Sequence, residues 1–221
     1  MNILVIDVGG TNVKVLAPGM KEPVKIPSGS EMTPSLMVSE VKKAIEGIKF
    51  SGVSIGYPGP VINDQPMLEP HNLALGWVSF DYVKAFPCPV KIVNDAAMQA
   101  LGSYEGGRML FLGLGTGLGS ALIIDGTLAP LELAHLPYRK NRTFEDYAGL
   151  RGLTRLGKKR WREVIFDIVA RLKAALVVDY VVLGGGNAKF LKDLPRDARL
   201  GANTNAFEGG IRLWKKGGHS K

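Results

Sequence analysis

LFLGLGTGLGSALIIDG, residues 110–126, sets glycine at 113, 115, 117 and 119 between two apolar runs. A dinucleotide loop of the form G-x-G-x-x-G needs a strand before it and a helix after it, so that the helix N-terminus can hold pyrophosphate. The glycine spacing here is different, and the following SALIID is a β-branched apolar run that reads as a second strand. A Walker loop is excluded as well, because neither Gly-Lys-Ser nor Gly-Lys-Thr occurs in the chain. What remains is a glycine-rich turn between two strands, which taken alone is compatible with an ordinary tight hairpin.

The same pattern opens the chain. Residues 3–19 and 110–126 each run strand, glycine-threonine turn, strand, and each closes on a glycine. Their sequence identity is slight, so they share a pattern without establishing a duplication. Between them the periodicity predicts a short strand near 23–26 and a helix with Thr33 as N-cap and Pro34 at its first position. Met37, Val41, Ala44, Ile45 and Ile48 form the apolar face of that helix. GVSIGYPG reads as a buried strand entering a turn, and KIVNDAA as a strand feeding a helix that stops at Gly106-Gly107. The second half repeats this logic. Two or three strands within 108–136 precede a helix starting near Thr143 and a longer one near 160–175, with Trp161, Val164, Ile165, Ile168, Val169 and Leu172 on one face. VVLGGG is then a strand entering a glycine turn, and a last helix covers about 206–215. The pattern implies two α/β lobes, 1–105 and 106–221, with ligands in the cleft between them and the last helix able to pack back on the first lobe.

Composition narrows the partners. With 221 residues, 46% of them hydrophobic, the chain can bury a core. The lone Cys88 rules out an internal disulfide and a cysteine-based zinc site. The opening MNILVIDVGG lacks a basic region and a cleavage site, and no apolar run reaches the roughly 18 residues of a membrane span. The expectation is a cytoplasmic protein without a membrane partner. A net charge of +8 favours an anionic partner but does not choose among nucleotide, polyphosphate, nucleic acid and phosphorylated metabolite. The densest basic segment, RKNR at 139–142 with Arg151, Arg155 and KKRWR at 158–162, reads first as solvated helix faces around a buried Trp161. No nucleic-acid-binding module accompanies it, so no nucleic-acid partner is expected.

DVGGT at 7–11, ND at 94–95, LGTG at 114–117 and LGGG at 183–186 each tip a predicted strand. With these motifs the sequence resembles the sugar kinases of the actin-like ATPase superfamily, specifically the ROK family, and within it the short polyphosphate glucokinase-like members. DVGGTNVKV, GYPGPV, NLALGW, VNDA, LGTGLGSALIIDG, ELAH, FEDYAG, LGGGNAKF and ANTNAFEGG carry the resemblance in order along nearly the whole chain. It implies a two-lobed, ribonuclease H-like α/β fold with an inter-lobe active-site cleft. It also implies transfer of a phosphoryl group from ATP or inorganic polyphosphate to a hexose, glucose above all, with Mg²⁺ as cofactor. Family members commonly form dimers, so a homodimer is the assembly the resemblance allows.

The residues support this chemistry to different degrees. Glycine-rich hairpins let backbone N–H groups approach phosphate oxygens, which makes Gly9, Gly10, Thr11 and Gly115, Thr116, Gly117 the candidate donor-phosphate ligands. Asp7, at a strand end beside the first turn, would repel phosphate unless Mg²⁺ lay between, so it reads as a metal-side residue acting through water, or else as an Asx-type turn former. Lys14 reads as a solvent-facing strand lysine. Asn94-Asp95 is at least an N-cap pair. The resemblance makes Asp95 the general base toward the sugar hydroxyl and Asn94 a ligand of neighbouring hydroxyls.

Glu132 and His135 could form a metal pair, but zinc wants a third ligand, and the cysteine cluster that supplies it in many ROK proteins is absent; no zinc is expected. The resemblance makes the two residues sugar ligands, although Ala134 stands where the E-x-G-H motif has glycine. Glu145 matches a further sugar-binding acid, and equally a first-turn acid beside the Thr143-x-x-Asp146 capping box. Asn72 and Trp77 resemble one wall of a sugar pocket with Gly56, Pro58 and Gly59 opposite, while Trp77 also suits the core. Gly184, Gly185 and Gly186 would admit the adenosine part of a nucleotide. Two other functions compete: a sugar-sensing ROK protein without turnover, and an actin-like ATPase without a sugar acceptor. The missing DNA-binding helices and the presence of Asp95 weigh against the first, and Asn94, Glu132 and His135 against the second.

Overall fold

The computed structural model describes residues 1–202 and 204–215. Asn203 of the ANTNAFEGG motif and residues 216–221 of the expected second lobe lie outside the described residues. The first sheet is built from β1 (Ile3–Val8), β2 (Asn12–Leu16), β3 (Val24–Pro27), β4 (Gly52–Tyr57) and β7 (Val90–Asn94), in the order β3-β2-β1-β4-β7. The two-residue strands β5 (Val61–Ile62) and β6 (Gln65–Pro66) form a small separate ladder. In the second sheet, β8 (Arg108–Leu114), β9 (Leu118–Ile124), β10 (Thr127–Leu131), β13 (Tyr180–Gly184) and β14 (Ala198–Leu200) are ordered β10-β9-β8-β13-β14. Both sheets run antiparallel through their first three strands and parallel through the last. The glycine-tipped pairs β1–β2 and β8–β9 thus hold equivalent places. β11 (Pro137–Arg139) and β12 (Arg142–Thr143) form a short hairpin whose turn residues Lys140 and Asn141 both have positive φ.

β1 is buried along its whole length because helices cover one face and sheet neighbours flank it. α1 (Pro34–Ala44) starts as its sequence predicts: Thr33 Oγ1 accepts from Leu36 N–H at 3.1 Å, and Met37, Val38 and Val41 enter the first core. α2 (Tyr82–Ala85) is a single turn capped by Asp81. α3 (Asp95–Ser103) follows β7 directly. Its alanines and Leu101 pack with Met109, Phe111, Ala121 and Ile123 of the second sheet.

α6 (Asn205–Arg212) crosses α3 at a seam of small residues, where a β-carbon on Gly102 would collide with the Asn205 carbonyl and one on Gly209 with the Met98 carbonyl. Its other side meets the first sheet. Ser54 Oγ donates to Gly210 O at 2.7 Å, and Phe207 shares a core with Ile3 and Val5. α3 and α6 therefore lie between the two sheets, with α6 against the first, as its amphipathic sequence allows.

α4 (Phe144–Ala148) carries the expected capping box between Thr143 and Asp146. α5 (Leu150–Leu176) begins ten residues before the helix predicted near 160–175 and is interrupted at Gly157, which has φ 70° and ψ 161°. Trp161 is fully buried, and its Nε1 donates to Ala148 O at 2.9 Å. No described helix is long and apolar enough to cross a membrane.

Candidate active site

The two hairpins share an economy of backbone groups. Gly9 N–H donates to Asn12 O at 3.1 Å, and Gly115 N–H to Gly117 O at 3.2 Å, so the first glycine of each turn spends its donor inside the turn. Among the described residues, the N–H groups of Gly10, Thr11, Thr116 and Gly117 make no such turn bond. Gly9 and Gly115 therefore shape the hairpins through their N–H groups, while those of Gly10, Thr11, Thr116 and Gly117 are not used in the turns. Carbonyls anchor the turns from behind. Ser28 Oγ donates to Gly9 O at 2.6 Å, and Asn187 Nδ2 to Gly115 O at 2.8 Å.

Asp7 is 7% exposed near the end of β1. The antiparallel register sets it opposite Lys14, whose Nζ is 3.0 Å from Asp7 Oδ2. Lys14 is thus a half-buried partner of Asp7 and not the solvent-facing lysine expected. The physical reason is the hairpin itself, since directly paired residues project to one face of the sheet.

Asn94 and Asp95 divide their work. Asn94 Oδ1 accepts from Ala96 and Ala97 N–H at 2.9 and 3.2 Å, and its Nδ2 donates to Gly59 O at 3.0 Å. The cap reading of Asn94 holds, leaving a single amide hydrogen for any sugar hydroxyl. Gly59 supplies a carbonyl to this tether. Asp95, half-buried in the first turn of α3, accepts from Ala96 N–H at 2.7 Å. Burial pushes its carboxyl up to about 7, the negative charges of Asp7 and Glu132 add to the rise, and the Ala96 bond and Lys14 oppose it. The charges of Asp7, Lys14 and Glu132 are thus all felt at Asp95.

Gly119 is essential to this arrangement. A β-carbon there would stand 2.8 Å from Ala96 Cβ, so its absence lets the first turn of α3 approach β9. The alternating glycines thereby separate in purpose: Gly113 and Gly119 face each other across the ladder, and Gly115 and Gly117 form the tip.

On the acceptor side, Glu132 is half-exposed, with His135 Nε2 3.9 Å from its Oε2. Burial and the charge of Glu145 push the Glu132 carboxyl upward. Ala134, in place of glycine, is buried in the 3-10 turn Leu133–His135 without positive φ, so this backbone does not require glycine. Glu145 turns toward the second hairpin: its Oε2 accepts from Leu118 N–H at 3.2 Å, and its Oε1 lies 3.5 Å from Arg151. Asn72 leans over the first hairpin, its Cβ 3.0 Å from where a side chain on Gly10 would begin. Trp77 is fully buried in the first core, 6.0 Å from the Tyr57 ring. It does not line the pocket. The turn after β13 packs on β8: Gly184 clears Phe111, Gly185 has φ 82° and lies against Leu114, and Gly186 has open space around it.

The family model described as the ROK family matches residues 3–130, which carry the first hairpin, Asn94-Asp95 and the second hairpin. The chain belongs to the ROK family. A polyphosphate glucokinase of Mycobacterium tuberculosis (strain H37Rv) is 25% identical to it over 202 residues, covering 82% of this chain and 76% of that protein. The inorganic polyphosphate/ATP-glucomannokinase from Arthrobacter sp. strain KM matches in structure with a TM-score of 0.82 at 22% identity, over 96% of this chain and 97% of that one. A ROK family glucokinase from Streptomyces griseus, in complex with glucose and AMPPNP, matches with a TM-score of 0.73 at 16% identity, over 96% and 99% of the two chains. The two repeated sheets and these likenesses establish the actin-like ATPase fold of ROK proteins.

Two positions in this ROK site were invisible as motifs. Lys14 was legible only through the register of the first hairpin. Glu69 had no local signal at all: its carboxylate accepts from Gly76, Trp77 and Val78 N–H at 3.0–3.2 Å and so holds the loop that carries Asn72.

Among the described residues no three His, Cys, Asp or Glu side chains cluster to hold a metal. Mg²⁺ does not need such a cage, since it retains waters and leans on substrate phosphates, and a buried carboxylate beside a phosphate-binding turn is enough protein for it. Asp7, buried near the end of β1 beside the first glycine turn, is a carboxylate of that kind.

Proposed function

We propose that the protein is a hexose kinase that moves the terminal phosphoryl group of ATP or inorganic polyphosphate to a hydroxyl of glucose. The observation that carries this reading is Asp95, a carboxyl pushed up to about 7 by burial and by the charges of Asp7 and Glu132, in a chain whose two glycine-tipped hairpins leave the N–H groups of Gly10, Thr11, Thr116 and Gly117 outside the turn bonds. A base poised near neutrality is suited to take a hydroxyl proton during transfer. Gly10, Thr11, Thr116 and Gly117 would donate to the donor phosphates. Asn72, Asn94, Glu132 and His135 would orient the sugar, and Glu145 would hold the second hairpin against Arg151.

In the transfer itself, the sugar oxygen bonds to the terminal phosphorus, the bridging P–O bond to the rest of the donor breaks, and the hydroxyl proton passes to Asp95. Asp7 would hold Mg²⁺, directly or through water, and the ion would neutralise charge on the donor phosphates. With ATP as donor, the open space at Gly186 would receive the nucleoside.

The test is formation of glucose 6-phosphate from glucose with each donor, followed by ³¹P NMR. Asp95→Asn keeps the shape and removes the base, and a loss of about 10²-fold or more in kcat is expected. Full activity in that variant would falsify the assignment, and glucose binding without product from either donor would favour a sensor.

A further inference from the structure

At the end of the second sheet away from its glycine turns lies a cavity of about 550 Å³, within the size range of small-molecule sites. Arg108 opens β8 and Leu114 closes it, so this cavity is about 20 Å along the strand from the second hairpin. The last turns of α5 line it with Val169, Ala170, Ala174 and Val177. No aromatic ring contributes to the lining.

Val177 stands out among these. It ends α5 with φ 52° and ψ 46°, in the left-handed region where glycine is the usual residue and a β-branched side chain is a true outlier. Its side chain is 62% exposed, so burial in the core does not account for a valine here, but the cavity receives it.

The charged residues of the lining are unequally engaged. Asp197 is held by Lys173 Nζ, with Arg196 Nε 3.7 Å from the same oxygen. Asp179 Oδ2 accepts from the main-chain N–H of Arg108 at 2.8 Å. The guanidinium of Arg108 pairs with no carboxylate among the described residues, and its Nε is buried without a partner. A buried N–H that lacks an acceptor costs free energy, and a carboxylate forked onto the guanidinium removes that cost. A polyanion fits poorly, because Asp179 and Asp197 also line the cavity and would repel its further charges. A sugar would set its hydroxyls against aliphatic side chains.

We infer that this cavity binds a small monocarboxylate with an aliphatic chain, its head on Arg108 and its chain along Val169, Ala174 and Val177. The site is separate from the glycine hairpins and stands whether or not the chain phosphorylates a sugar.

Calorimetry of decanoate and of the uncharged decanamide, against the full chain, Arg108→Met and Ala174→Trp, tests it. Ala174 is exposed on α5, so tryptophan there fills the cavity without entering the core, and circular dichroism verifies that each variant is folded. The original chain should bind a single decanoate, at least about tenfold tighter than decanamide. Arg108→Met should bring decanoate down to the level of decanamide, and Ala174→Trp should weaken both. An excess of tripolyphosphate should leave decanoate binding unchanged. Absence of saturable decanoate binding, equal binding of the two probes, unchanged affinity in either folded variant, or displacement by tripolyphosphate each overturns the site. Should Arg108→Met fail to fold, the two probes and Ala174→Trp decide alone.

Discussion

Asp95 is acidic in the wrong sense for a surface aspartate. Its carboxyl is pushed up to about 7 because burial and two negative neighbours, Asp7 and Glu132, disfavour its charge, while the Ala96 N–H bond and the Lys14 ammonium favour it. A base must be unprotonated to act, so kcat/KM for glucose should rise with pH through a midpoint near 7. Lys14→Met removes the favourable cation and leaves Asp7 unneutralised, and both changes make Asp95 harder to ionise. The midpoint should therefore move up, by roughly half a unit or more. A pH–rate series on both proteins tests this, and an unchanged or lowered midpoint in the variant contradicts it. The candidate catalytic aspartate was legible as a motif. Its environment was not, because Lys14 enters only once β1 and β2 are paired, and Glu132 only once the two sheets face each other across α3.

At the scale of elements, α5 shows what apolar periodicity can and cannot reveal. The stripe from Trp161 to Leu172 predicted the second part of the helix. The first part escaped because Gly149, Gly152 and Gly157 dilute the signal within nine residues. Two of them answer to long-range contacts: Gly152 clears the Tyr147 carbonyl, and Gly149 lies 2.7 Å, by a β-carbon's measure, from Thr116 O. Gly157 is different. Its φ of 70° and ψ of 161° belong to a region that is nearly glycine-only, and nothing crowds it. Gly157→Ala should cost about 1–3 kcal/mol through backbone strain alone. For a chain of this size that is a fall in Tm of several degrees, since each kcal/mol is worth about 2–4 °C. Gly186→Ala, at a glycine without positive φ and with open space around it, is the control and should melt close to the original chain. Equal melting temperatures for Gly157→Ala and the control would mean that the interruption in α5 is not imposed by the backbone of residue 157.

Across the whole molecule, the repeated hairpin seen in the sequence proves to be the start of a repeated sheet, with five strands in the same order and the same directions. Strand order is written in hydrogen bonds between distant segments, so the sequence showed the strands, the hairpins and a repeated logic without showing that the two sheets share one order. α6 completes the first of these sheets from the far end of the chain. Ala206 and Phe207 bury themselves with Ile3, Val5 and Met98. Trp214 Nε1 donates to Ser54 Oγ at 2.8 Å, Lys91 Nζ to Leu213 O at 2.7 Å, and Arg212 Nη1 to the carbonyls of Leu101 and Tyr104 at 2.8 and 2.9 Å, closing the end of α3. Burying one large apolar side chain contributes about 1.5–3 kcal/mol, and α6 brings several together with these bonds. A domain's whole stability is only about 5–15 kcal/mol, so the helix carries a large share of it. A chain ending at residue 203 should therefore lose its cooperative urea transition and bind a hydrophobic dye, because the inner faces of β1 and of α3 are bared together. The milder Ser54→Ala deletes the hydroxyl shared by Gly210 and Trp214 at a fully buried site, and should cost about 1–3 kcal/mol while leaving the transition cooperative. Should the shortened chain unfold in one sharp step with a midpoint close to that of the full chain, α6 would be an attachment to the two-sheet body and not one of its supports.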